Sequence, residues 1–255
     1  MSRARSRYGW LPDLPDYRDH RYAAPRKILA QLPRKMDLRP FCPPVLDQGE
    51  LGACTAHAIA SAHRFDQMRQ KARHDFLPSR LFIYYNERAM EHTINEDAGA
   101  MIRDGIKSIA KLGACPESLW PYEIPKFTRK PPAKAYTEAE QHQAIAYQRV
   151  TQSLTQMKGC LAAGTPFVFG FTVYESFEAQ SVARTGRMPM PGSGEKSLGG
   201  HAVLAVGYND AKQVFIVMNS WSAEWGDRGY FYMPYAYLSD PNLADDLWAV
   251  TIVET

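Results

Sequence analysis

The chain has 255 residues, is 45% hydrophobic and 22% charged, and carries a formal charge of +3. That is enough to bury a full core in one domain or in two lobes sharing an interface. The charge is uneven: Met1 to Lys35 holds nine Arg or Lys against three Asp, leaving 21 basic and 24 acidic residues beyond it, which excludes a basic nucleic-acid surface in the body of the protein.

No apolar run reaches the length of a membrane span, and Met1 to Arg7 lacks the apolar core of a secretory signal peptide. The expected localisation is therefore cytoplasmic or export by another route. From Tyr8 to Asp19 the chain combines aromatics with prolines, a composition that predicts an extended segment docked on a surface groove. Trp10, Leu11, Leu14 and Tyr17 would be poorly placed in water; the competing reading of residues 1–31 is a solvated basic tail.

The next informative stretch runs from Val45 to His57, where Gly49 and Gly52 precede Cys54. Thr55 to Arg73 contains no Gly or Pro and many alanines, so a helix is predicted to begin near Cys54. Unpaired N–H groups at a helix start favour a thiolate, which would lower the thiol pKa and make Cys54 a candidate nucleophile. The plainer reading is a small buried hydrophobe. A zinc site at Cys54 and His57 lacks a second ligand pair at metal-site spacing, so His57 is expected simply to lie on the helix. His20, His63, His74, His92 and His142 have no motif around them.

Further helices are predicted over Ser79 to Met90 and over Met101 to Leu112, where Ile102, Ile106, Ile109 and Ala110 share one face. Lys126 to Lys134, with three prolines, reads as an extended crossover, and Leu154 to Ala163 as a short helix holding Cys160 as a buried thiol. Strand patterns follow at Phe167 to Val173, from His201 to Tyr208, at Val214 to Met218 and at Gly229 to Met233, which together imply an antiparallel sheet or barrel. A hairpin turning at Asn209 to Lys212 would bring His201 and Asn219 together at the open end of two strands. A nucleophilic thiol needs an imidazole to take its proton, and the imidazole needs an acceptor on its other nitrogen. Cys54, His201 and Asn219 supply that set.

Gln48 with Cys54, Gly200-His201-Ala202, and Asn219-Ser220-Trp221 followed by Trp225-Gly226 and Gly229-Tyr230-Phe231 resemble, in order and separation, the papain-like, cathepsin-type cysteine peptidases, in a bacterial-looking branch. The similarity runs from about Leu32 to the C-terminus. It implies an α+β, papain-like two-lobe fold: a helical lobe over about 35–125, an antiparallel β lobe over about 126–255, and a cleft between them. It also implies a cysteine endopeptidase without cofactor or metal. Cys54 would be nucleophile, His201 general base and acid, Asn219 the orienting group, and Gln48 an oxyanion donor beside the Cys54 N–H. Trp221 would shield the His–Asn bond, and Trp225 would pack as structure.

The chain departs from the family pattern at Thr55, where an aromatic is usual, which implies a less bulky and more polar cleft floor, and at Leu51, where most members carry a disulfide cysteine. The usual glycine-bearing wall is missing, and Asp97-Ala98-Gly99-Ala100 is the expected replacement, with Gly52, Ala98, Gly99, Gly200 and Trp221 bordering substrate. Similar members suggest a Cys42–Cys115 disulfide. Gly200 and Val250, near the base of the main specificity pocket, suggest room for an apolar or bulky side chain and no acidic group to select a basic one. Arg184 to Gly199 reads as a loop overhanging the cleft or as plain surface, and no paired histidines of an exopeptidase insertion are present. Expected partners are peptide or protein substrates and the chain's own N-terminal segment lying near the cleft, with no nucleic acid, no membrane and a monomeric state. The alternatives are a non-catalytic papain-fold binding protein, or a transpeptidase or ligase using the same residues.

Overall fold

The structure, a computed structural model, describes residues 8–71 and 75–253. Met1 to Arg7, Arg73 and His74, all mentioned above, lie outside the described residues. In chain order the elements are β1 (Trp10–Leu11), β2 (Arg21–Tyr22), α1 (Arg26–Ala30), β3 (Lys35–Asp37), α2 (Cys54–Arg69), α3 (Arg80–Met90), β4 (Ala100–Met101) and α4 (Ile102–Leu112). The second half contains α5 (Ala133–Ala139), β5 (Ala144–Val150), α6 (Leu154–Ala162), β6 (Phe167–Tyr174), α7 (Gln180–Thr185), β7 (Ser197–Asn209), β8 (Val214–Met218), β9 (Tyr230–Pro234), α8 (Tyr235–Ser239) and β10 (Ala244–Val253). Among the described residues no helix is long and apolar enough to cross a membrane.

The fold is α+β. Helix α2 is buried on nearly all sides, which suits a sequence rich in alanine rather than one with a single apolar stripe. Helix α3 is capped by the Ser79 hydroxyl, which accepts the Phe82 N–H at 3.1 Å. Helix α4 buries Ile102, Ile106 and Ile109 completely and stops at Gly113, whose φ of +79° suits glycine. An eight-stranded sheet forms the other side, in the order β2-β5-β10-β6-β7-β8-β9, with β3 also paired to β7. Alternate residues of β6, Phe167, Phe169, Phe171 and Val173, are fully buried.

The boundary between the helical and β parts is not a single cut in the sequence. Strand β3, from the expected helical half, pairs antiparallel with β7, setting Lys35 opposite Asn209. Strand β2 adds to β5 in parallel, and β1 pairs in parallel with β4. The N-terminal stretch thus touches both halves. Its burial differs from the hydrophobic expectation: Trp10 is buried and Leu11 partly exposed, whereas Leu14 is 70% and Tyr17 98% exposed. The segment is held there by carboxylates instead, as described below.

All four cysteines are free, which corrects the expected Cys42–Cys115 disulfide. The Cys42 thiol donates to Leu38 O at 3.4 Å, whereas Cys115 packs in a separate cluster with Phe82, Ala135 and Ala139. Cys160 is fully buried in α6.

Candidate active site

Cys54 opens α2, and Ala53 before it provides no side-chain cap, so the first-turn N–H groups remain directed at the loop side. The preceding loop is fixed at Gln48. Its N–H donates to Ser220 O at 2.9 Å, its Nε2 to Leu51 O at 2.9 Å, and its carbonyl accepts the Tyr122 hydroxyl at 2.8 Å. The Ser220 hydroxyl donates to Gln48 Oε1 at 2.6 Å, which orients the side-chain amide.

On the sheet side, β7 and β8 form the hairpin, and β8 ends one residue before Asn219. His201 Nε2 lies 2.8 Å from Asn219 Oδ1, which also accepts the Ser220 N–H at 2.8 Å. An acceptor at that position places the imidazole proton on Nε2 and leaves Nδ1 as a base. Nδ1 is buried and has no hydrogen-bond partner among the described residues. Trp221 stacks on the imidazole, with centroids 4.9 Å apart and 24° between planes, and Trp225 packs edge-on behind it at 5.2 Å. The Cys54 sulfur faces the backbone N–H groups of Ala202, Gly9 and Thr55. The fold thus places the thiol against the residue that follows His201.

The electrostatics reverse the helix-start expectation. Burial pushes the Cys54 thiol up to about 11 and outweighs those N–H groups. Burial also pulls His201 down to about 4, against the bond to Asn219. Both side chains are 0% exposed, because the N-terminal segment lies over them. Gly9 is wedged between two walls: a Cβ on it would sit 1.8 Å from Gly52 O, and one on Gly99 would sit 2.2 Å from Gly9 O. The Ala100 N–H donates to Gly9 O at 2.8 Å. Tyr8 lies 6.3 Å, ring to ring, from both His201 and Trp221, and its hydroxyl donates to Glu178. Trp10 fills the space above two glycines, since a Cβ on Gly170 would fall 2.0 Å from its Cε2 and one on Gly200 2.4 Å from its carbonyl oxygen. Of the residues expected to border substrate, Gly52, Gly99, Gly200 and Trp221 therefore line the occupied cleft, while Ala98 is half-buried in the loop beside Gly99.

The base of the Trp10 pocket escaped the sequence reading. Trp10 Nε1 donates to Asp246 Oδ2 at 3.0 Å, and the same oxygen accepts the Asp13 N–H at 2.7 Å. Val250 lies opposite Tyr147 within the β10–β5 pair, and the carboxylate that meets the Trp10 indole belongs to Asp246, which the sequence reading had not singled out. Asp13 is itself buried: Trp248 Nε1 donates to its Oδ2 at 2.8 Å and the Arg103 N–H to its Oδ1 at 3.0 Å. Arg149 bridges Asp246 at 2.8 Å, Asp245 at 2.9 Å and Asp13 at 3.4 Å, and Arg103 pairs with Asp19 at 2.7 Å. Burial raises the pKa of both Asp13 and Asp246. The Asp245-Asp246 doublet was the only visible trace of this cluster, in a stretch whose strand pattern is weak.

Thr55 is not part of the cleft floor as the family pattern suggested. It is fully buried, and its hydroxyl donates to Glu87 Oε1 at 2.6 Å. Glu87 is also buried, its Oε2 has no hydrogen-bond partner among the described residues, and burial raises its pKa well above the ordinary range.

The family described as papain family cysteine protease matches residues 32–244. A peptidase C1-like protein of Acanthamoeba polyphaga mimivirus is 49% identical over 225 residues, covering 85% of this chain and 72% of that protein. Cathepsin B-like CP2 of Giardia intestinalis is 29% identical over 236 residues, covering 83% and 73%. Among solved structures, xylellain, a cysteine protease from Xylella fastidiosa, superposes with a TM-score of 0.91 at 44% identity, over 98% of this chain and 97% of that one. Procathepsin B S9 from Trypanosoma congolense shares the fold, with a TM-score of 0.76 at 19% identity over 97% and 86%. On its matched residues and on these relatives, the chain belongs to the papain family of cysteine proteases.

Proposed function

We propose that this cysteine peptidase acts as an endopeptidase through Cys54, His201, Asn219 and Gln48, in a cleft that its own N-terminal segment occupies at rest. The observation that carries the assignment is the His201–Asn219 bond, which leaves Nδ1 as the basic nitrogen beside the thiol-bearing helix. In the forward reaction Nδ1 takes the Sγ proton as sulfur attacks the scissile carbonyl carbon. The oxyanion then accepts the Cys54 N–H and the Gln48 side-chain N–H, each donor being worth about 10²- to 10³-fold in rate. The imidazolium protonates the leaving amine nitrogen, which leaves a thioester. His201 next deprotonates a water that attacks the thioester carbon, and the thiolate departs. Asn219 keeps the imidazole in the tautomer both steps need, while Trp221 covers that bond.

The contacts of residues 8–22 support a self-blocking role. The buried thiol and imidazole are both in their neutral forms under the segment, so they gain reactivity when water re-enters. The pocket vacated by Trp10 is flanked by Gly170 and Gly200 and ends at a carboxylate, which favours a large, flat substrate side chain carrying an N–H donor. The test is labelling by a thiol-directed peptidyl epoxide together with turnover of a short fluorogenic peptide. Both are expected in the parent and are lost in Cys54→Ala and His201→Ala. Turnover that survives Cys54→Ala would overturn the assignment.

A further inference from the structure

His57 lies one turn into α2 and has no place in the chemistry above, yet it is fully buried and both ring nitrogens are engaged. Nδ1 is 2.7 Å from Ala53 O, and Nε2 is 3.2 Å from Arg80 Nη1. A guanidinium only donates, so Nε2 is the acceptor and Nδ1 carries the proton. Ala53 O therefore receives two bonds from one residue, the other being the His57 main-chain N–H at 3.1 Å. The Ala53–Cys54 peptide is planar and trans, so fixing its C=O direction fixes the opposite direction of the Cys54 N–H.

We propose that His57 is a positioning residue for the oxyanion hole: its Nδ1–H, held in that tautomer by Arg80, locks the 53–54 peptide so that the Cys54 N–H points at the developing oxyanion. This inference rests on the peptidase assignment above.

The surroundings fit that task. Arg80 Nε donates to Glu117 Oε2 at 2.7 Å, and its guanidinium lies 4.2 Å over the Tyr122 ring. Tyr122 meets His57 edge-on at 4.8 Å and sends its hydroxyl to Gln48 O. One Arg–Tyr unit thus braces both oxyanion donors, the Cys54 peptide through His57 and the Gln48 loop directly. Burial and the neighbouring Arg80 charge pull the His57 pKa down to about 3, so the ring stays neutral over the working pH range. Its role is that of a fixed donor rather than a proton carrier.

The test uses the full-length chain with three readouts: kcat and KM on a fluorogenic peptide, affinity for a peptide aldehyde that forms an oxyanion-bearing hemithioacetal, and the alkylation rate of Cys54 by iodoacetamide, which builds no oxyanion. His57→Phe keeps a ring in the space but loses the donor. It is expected to lower kcat and aldehyde affinity together by about tenfold, part of the 10²-fold a misplaced group can cost, with KM and alkylation rate within about twofold. His57→Asn restores a donor of suitable reach, as Asn86 shows by bonding Phe82 O at 2.8 Å from the same i to i−4 position. It is expected to recover most of the loss. Unchanged kcat and aldehyde affinity in His57→Phe would overturn the role. So would losses matched by alkylation rate and melting temperature, with no recovery in His57→Asn. A parent that neither turns over nor binds the aldehyde overturns the peptidase assignment and this inference together, whereas an active parent with an indifferent His57→Phe overturns this inference alone.

Discussion

Replacing Trp10 by Ala removes the largest side chain that the N-terminal segment seats in the cleft. Trp10 is 8% exposed, and its indole N–H is bonded to a buried carboxylate. Truncating a buried Trp to Ala typically costs about 3–5 kcal/mol. Here that cost falls on the closed arrangement and not on the catalytic groups. At about 1.4 kcal/mol per decade, the closed-to-open ratio drops by roughly 10²- to 4 × 10³-fold. The apparent kcat/KM scales with the open fraction, so it rises by that factor until the open form predominates. The assay is the initial rate on a short fluorogenic peptide at substrate concentrations below KM, normalised by epoxide titration of Cys54. A rise of at least about tenfold is expected by this population argument. Gly170→Ala provides the same perturbation from the opposite wall, because its Cβ would fall 2.0 Å from Trp10 Cε2. If both variants remain folded and both stay within twofold of the parent, the segment does not limit access and the reasoning fails.

Asp66 is buried beside Arg69, with Oδ2 unpartnered among the described residues, and burial pushes its pKa up to about 8. A carboxyl with a raised folded pKa holds its proton more tightly when folded, so its contribution is complete below the unfolded value and is lost as pH rises toward about 8. Asp66→Asn is accordingly expected to stabilise the protein at pH 7, by about 1–3 kcal/mol, and to change little near pH 4. Urea titrations at the two pH values check this, and an equal effect at both would refute it. Thr55→Val keeps the shape but strands the Glu87 carboxyl. It is expected to destabilise by about 1–3 kcal/mol; urea titration checks this, and unchanged stability would refute it.

The proposed catalytic set could be read from the chain because each member sits where local rules are strong. A Gly/Pro-free, alanine-rich run starts at Cys54, and two apolar strands flank a four-residue turn between His201 and Asn219. Spacing in the hairpin then brought the imidazole and amide together with no need for long-range information. What stayed hidden depended on pairs far apart in sequence. Asp13 and Asp246 lie 233 residues apart and meet only when β1 and β10 are both in place. Hydrophobicity correctly favoured burial of Trp10, but it misplaced Leu14 and Tyr17 because the anchoring force there is ionic. Thr55 was read by analogy as cleft lining; its buried partner Glu87 comes from α3, and periodicity does not reveal which residue of one helix faces another. His57 looked idle for the same reason, since Arg80 reaches it from across the helix pair.

Strand β2 fixes Arg21 and Tyr22 to β5, and only about ten residues of chain separate that anchor from Trp10. Such a leash confines the blocking residues to within a few tens of ångströms of the cleft, given at most about 3.6 Å of reach per residue. Their local concentration is in the millimolar range typical of short tethers. On the proposed self-blocking role, a peptide substrate competes with an inhibitor that dilution cannot remove, and whose strength is the same in a single molecule as in a concentrated solution. Regulation by protein abundance is ruled out for such a device; cutting the leash, or an incoming chain that outbids it locally, is what remains.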